Sequence, residues 1–327
     1  MSVRLACVAC DPERMRTHDP VLRGAGLLTP ASGGRPLIAD GGLGTRLEAM
    51  GVDVRGPSWS AAALHDDPAA IRAAHLAFFE AGADLAVTAS YQVCFDGPAS
   101  AGAEASDVEV ALRASTRLAR EAAEIAHAAD GVRRLVAASV GPYGASLADG
   151  SEYTGDYGLD LAALRRWHRR RLGVLAESGA DLLALETIPS MVEVEALLAE
   201  VEGLGVPVWL SVTADGSRTR TGEPLADVFA LAASSAAAIA VGVNCCGSDG
   251  VEHALDAAAA VAPGLGVVVY PNGPGVWDAA ARVWRLDERT GDPLSAAVEW
   301  AAAGATVIGG CCRVTPEHIR TLRTRFA

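Results

Sequence analysis

The sequence predicts an α/β chain folded as a (β/α)8 TIM-type barrel, one domain preceded by an N-terminal extension. Three observations lead there. Eight short apolar runs alternate with helical stretches along most of the 327 residues. One phrase recurs at three of the helix-to-strand joints. Polar residues of a chemically coherent kind gather where the apolar runs end.

Residues 1–34 carry scattered Arg, Pro and Gly with no sustained periodicity, and they read as an extension with nothing tying it to a core. Cys7 and Cys10 lie in this leader, and no second such pair exists to complete a zinc ribbon. Residues 35–327 form the barrel domain. Its apolar runs are Leu37–Asp40, Leu85–Ser90, Val136–Val140, Leu182–Thr187, Val208–Thr213, Ala240–Cys245, Val267–Asn272 and Thr306–Cys311. Continuous Val/Ile/Leu-rich runs are how strands read when both faces of a parallel sheet are buried. Between them, Ser106 to Ala129 shows helical periodicity, and Ser106 with Glu109 forms a capping box at its start. The repeated phrase is Ala-Gly-Ala-Asp at 81–84, Ser-Gly-Ala-Asp at 178–181 and Ala-Gly-Ala-Thr at 303–306. It places Gly82, Gly179 and Gly304 as left-handed residues that close helices. Eight such units point to the closed barrel. The alternative is a doubly wound open sheet, but no G-x-G-x-x-G follows any strand, so its dinucleotide-binding version has no support.

Composition excludes several function classes. A formal charge of −13 repels polyanions, which argues against a nucleic-acid partner. The one basic run, Arg165 to Arg171, falls in a helical pattern and reads as a solvated helix face. Val228 to Cys246 is long and nearly uncharged, yet it is rich in Ala and Ser and changes character midway. It fits a buried helix running into a buried strand better than a membrane span. With no apolar h-region at the start, the sequence predicts a soluble, cytoplasmic protein whose seven cysteines are reduced. Cys94 reads as a small apolar residue.

In a barrel, chemistry gathers where strands end and the following loops begin. The first run ends in Asp40-Gly41-Gly42-Leu43-Gly44-Thr45 and the fourth in Glu186-Thr187. The sixth ends in Asn244-Cys245-Cys246, the seventh in Tyr270-Pro271-Asn272 and the eighth in Gly309-Gly310-Cys311-Cys312. Thiols at the same end of two nearby strands are hard to explain as packing. Three thiolates fill all but one position of a tetrahedral zinc site and leave that one for a substrate atom. Adjacent side chains of a strand face opposite ways, so one cysteine of the 245–246 pair is a bystander. Gly309-Gly310 would let the backbone turn so that Cys311 and Cys312 both reach the metal. The carboxylates Asp40 and Glu186 supply a general base or hold an ammonium group. The glycines after Asp40 let backbone N–H groups approach an anion, with Thr45 capping a short helix there. An ammonium site and a carboxylate site beside an open metal position describe an amino acid bearing a thiol.

These residues resemble the homocysteine S-methyltransferase family, and the resemblance covers Leu37 to the C-terminus. It is carried by DGGLGTRLEAMG from Asp40, TASYQ from Thr88, SVGPYGASLADGSEYTGDYG from Ser139, ADLLALETIPS from Ala180, GVNCC from Gly242, VYPN from Val269 and GGCCRVTPEHI from Gly309. The segment through Tyr157 is most similar to the S-methylmethionine-type enzymes. The resemblance implies Zn2+ on Cys245, Cys311 and Cys312, with Cys246 as the bystander. It implies Asp40 and Glu186 at the amino group of homocysteine and the backbone of Gly41, Gly42 and Leu43 at its carboxylate. Trp59 and Asn272 fall on the methyl-donor side. One departure stands out: Gly275 occupies a position where the family usually has glutamate.

The function so implied is zinc-dependent methyl transfer from S-methylmethionine or S-adenosylmethionine to homocysteine, giving methionine. Betaine is the alternative donor, and a homocysteine analogue an alternative acceptor. A non-catalytic zinc/thiol store or redox sensor is the rival from another class.

Overall fold

The structure is a computed structural model that describes residues 26–28, 34–54, 56, 60–97, 102–278, 283–285 and 292–327. Its strands run in chain order β1 (Leu37–Ile38), β2 (Leu85–Val87), β3 (Leu135–Val140), β4 (Leu182–Ile188), β5 (Val208–Val212), β6 (Ala214–Asp215), β7 (Arg218–Thr219), β8 (Ala238–Asn244), β9 (Gly266–Tyr270), β10 (Val276–Asp278), β11 (Val283–Arg285) and β12 (Val307–Ile308). Eight of them form one parallel sheet in the order β1-β12-β9-β8-β5-β4-β3-β2. The pairs β6–β7 and β10–β11 are antiparallel hairpins in the loops that follow β5 and β9. This is the (β/α)8 barrel expected from the alternating runs.

The two ends of the sheet, β1 and β2, meet through a single bridge, Ala39 to Leu85, and side chains complete the seam. Asp84 donates its backbone N–H to Ile38 O (2.7 Å) and accepts from Ile38 N (2.9 Å) through its carboxylate. Both nitrogens of the Arg35 fork also bond that carboxylate, at 2.7 and 3.0 Å. A bidentate, charge-assisted pair of this kind is both strong and directional. Asp40 closes the upper part of the seam by accepting from Val87 N at 3.0 Å.

Inside the barrel, Ala39, Ala137, Ala184 and Ala240 leave room for two large aromatics, Trp209 and Tyr270. Small residues opposite large ones let the layers interdigitate without voids. The outer faces of the strands pack against the surrounding helices in a second, larger core. Gly82, Gly179 and Gly304 have φ of 106°, 87° and 110° and close their helices as the repeated phrase predicts.

Three expectations need correction. The helix Ala105–Asp130 starts at Glu104 with no side-chain cap, so Ser106 sits inside the first turn and makes no capping box. The basic run is not one solvated face. Arg165 and Arg169 pair with Glu200, and Arg170 with Glu109, on the outer side of the helix Leu161–Ala176. His168 and Arg171 instead lie wholly buried on its inner side. Arg171 donates to Gly141 O and to His168 Nδ1, while His168 Nε2 bonds Glu193 at 2.8 Å. Burial holds His168 down at about 4, so the ring is neutral and its Nε2–H donates to Glu193.

The third correction concerns the leader. Leu28, inside the stretch taken as an untethered extension, is 4% exposed and packs with the barrel-interior residues. Leu27 packs against the same cluster, which also includes Leu37, Leu135, Leu182 and Ile239 from the beginnings of their strands. The two leucines therefore stopper the end of the barrel opposite the strand C-termini. The periodicity of a helix or strand cannot reveal them because they act as an isolated plug. Among the described residues, no helix is long and apolar enough to cross a membrane.

Truncating a well-packed core leucine to alanine costs about 2–5 kcal/mol. Leu28→Ala should fall in that range by chemical denaturation, and deletion of residues 1–34 should destabilise at least as much. Unchanged midpoints in both would mean that Leu28 is dispensable to the barrel.

Candidate metal centre and substrate site

The site forms where the strands end. Three non-glycine residues there adopt positive φ, namely Thr187 (61°), Cys245 (53°) and Arg313 (65°). Such left-handed backbone costs about 1–3 kcal/mol per residue and persists only when neighbours enforce it. At Thr187 the enforcing neighbour is Asn244. Its Oδ1 accepts from Thr187 N at 2.7 Å, and its Nδ2 donates to Thr187 Oγ1, also at 2.7 Å. The turn at Cys245 breaks the strand alternation and sends two adjacent cysteines to different places. Cys246 packs in the outer core, where burial pushes its thiol up to about 12. Cys245 meets the cysteines that follow β12.

Sγ of Cys245 lies 3.2 Å from that of Cys311 and 3.8 Å from that of Cys312, and all three sulfurs fall within 4.8 Å of one another. Zinc–sulfur bonds of about 2.3 Å would set tetrahedral sulfurs about 3.8 Å apart, so the cluster has the right size for one metal ion. Electrostatics points the same way. Hydrogen bonds from Cys311 and Cys312 hold the Cys245 thiol well below its ordinary range, and the same sharing raises the other two. Three sulfurs this close, one buried and two half-buried, ionise together only around a cation.

Backbone hydrogen bonds knit the loops that carry them. Cys311 N donates to Pro271 O (2.8 Å), Gly273 N to Cys312 O (2.7 Å) and Asn272 N to Cys246 O (3.0 Å). Gly309 and Gly310 contribute by lacking side chains rather than by unusual torsions. A Cβ on Gly309 would stand 2.7 Å from Ala39 Cβ, and one on Gly310 would stand 2.3 Å from Val314. The absence of a side chain brings the Cys311–Cys312 turn against the loop after β1.

Glu186 sits deep in the same mouth. It accepts from the Ser139 hydroxyl and, at 3.0 Å, from Tyr270 OH. Tyr270 can donate there because its own oxygen accepts from Ser211 (2.6 Å) and from Trp209 Nε1 (3.2 Å). Burial pushes Glu186 up to about 7. Asp40 is also raised, by burial first, and its charge and that of Glu186 repel. Two buried acids, one of them raised further by the charge of the other, are a ready site for a cation.

Not every expected contact is available. Gly42 N donates to Val314 O at 2.9 Å, so that amide is already committed. Thr45 does not cap the short helix Leu43–Ala49; its hydroxyl accepts from Arg313 N at 2.9 Å and ties the β1 loop to the cysteine loop. Gly41 and Leu43 lie beside it. Asn272 reaches the mouth with a buried Oδ1 that has no partner among the described residues. Trp59 lies outside the described residues. Gly275 has φ of 116°, a conformation in which a glutamate side chain would be strained. Restoring the family's glutamate there is therefore not a simple gain. Sequence reasoning missed the Asn244 clamp, the Tyr270–Ser211–Trp209 relay and Tyr153, whose hydroxyl lies 3.3 Å from Cys245 Sγ. Asn244 and Tyr270 stand at strand ends, which was the available signal; nothing in the spacing marks Tyr153.

Comparison with known proteins decides the family. The family described as Homocysteine S-methyltransferase matches residues 37–326. The chain belongs to the homocysteine S-methyltransferase family. Homocysteine S-methyltransferase 4 of Zea mays is 43% identical over 301 residues, 87% of each chain. Homocysteine S-methyltransferase of Escherichia coli K12 is 40% identical over 294 residues, covering 88% of this chain and 94% of its own length. The crystal structure of the homocysteine methyltransferase MmuM from Escherichia coli in its metallated form superposes with a TM-score of 0.79. The two are 39% identical, over 89% of this chain and 96% of that one. The protein is thus a methyltransferase of this family, with a three-cysteine cluster able to hold a metal.

Cys245→Ala, Cys311→Ala and Cys312→Ala should each abolish tight metal binding. Cys246→Ala should retain about one metal per chain, as the three-sulfur geometry requires. Metal content after gel filtration distinguishes the four variants, and loss in Cys246→Ala with retention in Cys245→Ala would reverse the ligand assignment.

Proposed function

We propose that the protein transfers a methyl group from a sulfonium donor, S-methylmethionine or S-adenosylmethionine, to the thiol of homocysteine, giving methionine, with zinc held by Cys245, Cys311 and Cys312. The observation that carries it is the convergence of three sulfurs beside two buried carboxylates at the strand C-termini. The donor set fits zinc because soft thiolates in tetrahedral array are its preferred structural and catalytic ligands. A reducing cytoplasm keeps such thiols available.

Zinc held by Cys245, Cys311 and Cys312 would supply Lewis acidity, lowering the pKa of a substrate thiol so that its sulfur is nucleophilic at neutral pH. The chain does the rest by positioning. Asp40 and Glu186 hold the ammonium group of homocysteine, and the amides of Gly41 and Leu43 face its carboxylate. Asn272 faces the donor, and the family resemblance adds Trp59 to that role. Methyl transfer forms the bond from homocysteine sulfur to the methyl carbon as the donor's sulfur–methyl bond breaks. The electron pair stays on the departing sulfur, which leaves as a neutral thioether and needs no proton. Alignment and exclusion of water therefore account for most of the protein's share of catalysis.

Glu186 gives the reaction a pH signature. Its folded value of about 7 lies above the ordinary carboxylate range, so the stability this group adds is present at low pH and lost as pH rises through about 7. The ionised form, which holds an ammonium, appears over the same range.

Methionine formation with S-methylmethionine, S-adenosylmethionine and betaine, each at saturating homocysteine, tests the assignment. A sulfonium should be the best donor, and kcat/KM for homocysteine should rise through about pH 7. Glu186→Gln should remove that limb and cost about ten- to a hundredfold in kcat/KM, the worth of one charge-assisted contact, with zinc retained. Betaine as the best donor would overturn the donor assignment. No turnover with any donor would leave a thiol or metal store.

A further inference from the structure

The backbone corner Gly141–Pro142–Tyr143 is gripped on both sides by buried side chains. Arg171 donates to Gly141 O, and Glu193 Oε1 accepts from Tyr143 N at 2.6 Å. Tyr143 opens the helix Tyr143–Leu147, whose N-cap Pro142 makes no side-chain bond to it. Amides at a helix start have no partner within the helix, so the carboxylate satisfies one of them. Glu193 is held in turn by His168 Nε2–H at 2.8 Å, and His168 Nδ1 accepts from Arg171 at 3.2 Å. All three side chains are at most 1% exposed. Buried charges are costly unless their geometry is complete, and here the whole chain of bonds converges on one corner of backbone. Among the described residues, none of the three hydrogen-bonds a cysteine of the cluster.

A contiguous path nevertheless leads there. A Cβ on Gly144 would stand 2.5 Å from Glu152 N and 2.6 Å from Ser151 C, so the helix lies directly against the one-turn 3-10 helix Ser151–Tyr153. The Tyr143 ring braces the same unit, 5.3 Å from that of Tyr157 and 5.2 Å from that of Trp167. The turn ends in Tyr153, whose OH lies 3.3 Å from Cys245 Sγ. A thiolate that binds a metal has no proton to give, so there the phenol donates and the sulfur accepts.

We propose that Glu193 is a positioning residue of the sulfur cluster: by fixing the Gly141–Tyr143 corner it seats the Tyr153 hydroxyl on Cys245 Sγ, a role that rests on reading the three cysteines as a metal centre. A hydrogen bond to a ligand thiolate draws charge from it, and partners of this kind tune metal sites by about ten- to a hundredfold in affinity or activity. Cys245 is the ligand with most to gain. It is buried where Cys311 and Cys312 are half-buried, so water shares less of its charge.

A double-variant cycle tests the role, with thiolate-to-metal absorption of the cobalt-loaded protein as a readout that needs no turnover. Losing the phenol's hydrogen bond raises the sulfur lone pair, so Tyr153→Phe should move that band to lower energy. In the zinc-loaded protein the same variant should lower kcat for homocysteine methylation about tenfold. Glu193→Ala should reproduce both changes, and combining it with Tyr153→Phe should add less than about twofold to the loss. Glu193→Gln, which keeps an acceptor for Tyr143 N, should recover most of each. A band unmoved in Tyr153→Phe or in Glu193→Ala, fully additive losses in the double variant, or a Gln variant as impaired as the Ala variant would each overturn the role of Glu193. Cobalt bound without thiolate absorption, or not bound at all, by the native protein would instead sink the metal-centre reading on which it rests.

Discussion

Three thiols within 4.8 Å of one another, one buried and two half-buried, pose a charge problem that governs the architecture around them. As neutral thiols they pack poorly against polar neighbours, and as thiolates they repel unless a cation sits between them. The chain accepts left-handed backbone at Cys245 and Arg313 to bring them together. It also gives up side chains at 309, where a Cβ would meet Ala39 at the end of β1, and at 310, where one would meet Val314 of the same turn. Hydrogen bonds from the β9 loop to both cysteine loops then fix the result. Strain of this kind is stored where function needs it and offset by packing elsewhere.

The polar residues around the cluster follow from the same constraint. Glu186 stays in place because Ser139 and Tyr270 donate to it, and Tyr270 is oriented by Ser211 and Trp209 from inside the barrel. The barrel interior is thus a packed core that also serves as the support for a buried acid at the barrel mouth. Asp40 carries two duties at once, since it accepts from Val87 N across the seam and stands as a buried acid at the mouth, its own carboxyl raised by burial and by the charge of Glu186. The buried His168–Glu193–Arg171 network fixes the segment that carries Tyr153, since Glu193 accepts from Tyr143 N and Arg171 donates to Gly141 O.

The barrel was legible because eight buried parallel strands leave eight uninterrupted apolar runs, and because the helix-closing phrase recurs at three joints. The cysteines were legible because thiols at the ends of two strands have few structural explanations. Other features left no local trace. Leu28 is one leucine in an aperiodic leader, and only the open end of a closed barrel gives it a role. His168 and Arg171 sit within a run of basic residues whose other members are solvated, and helix phase against a neighbouring loop decides which turn inward. Thr45 had the right position to cap a helix, but Arg313 N, distant in sequence, claims its hydroxyl. In each case the deciding partner lies far along the chain, where spacing carries no information.

If the three sulfurs form an open metal site, the thiol of homocysteine completes it. X-ray absorption at the zinc edge, recorded on the zinc-loaded protein with and without homocysteine, tests it most directly. About three sulfur neighbours and one lighter atom are expected without homocysteine, becoming about four sulfurs at about 2.3 Å on adding it. An identical spectrum in both states would contradict it, and would mark the cluster as a closed site that takes no part in binding the acceptor.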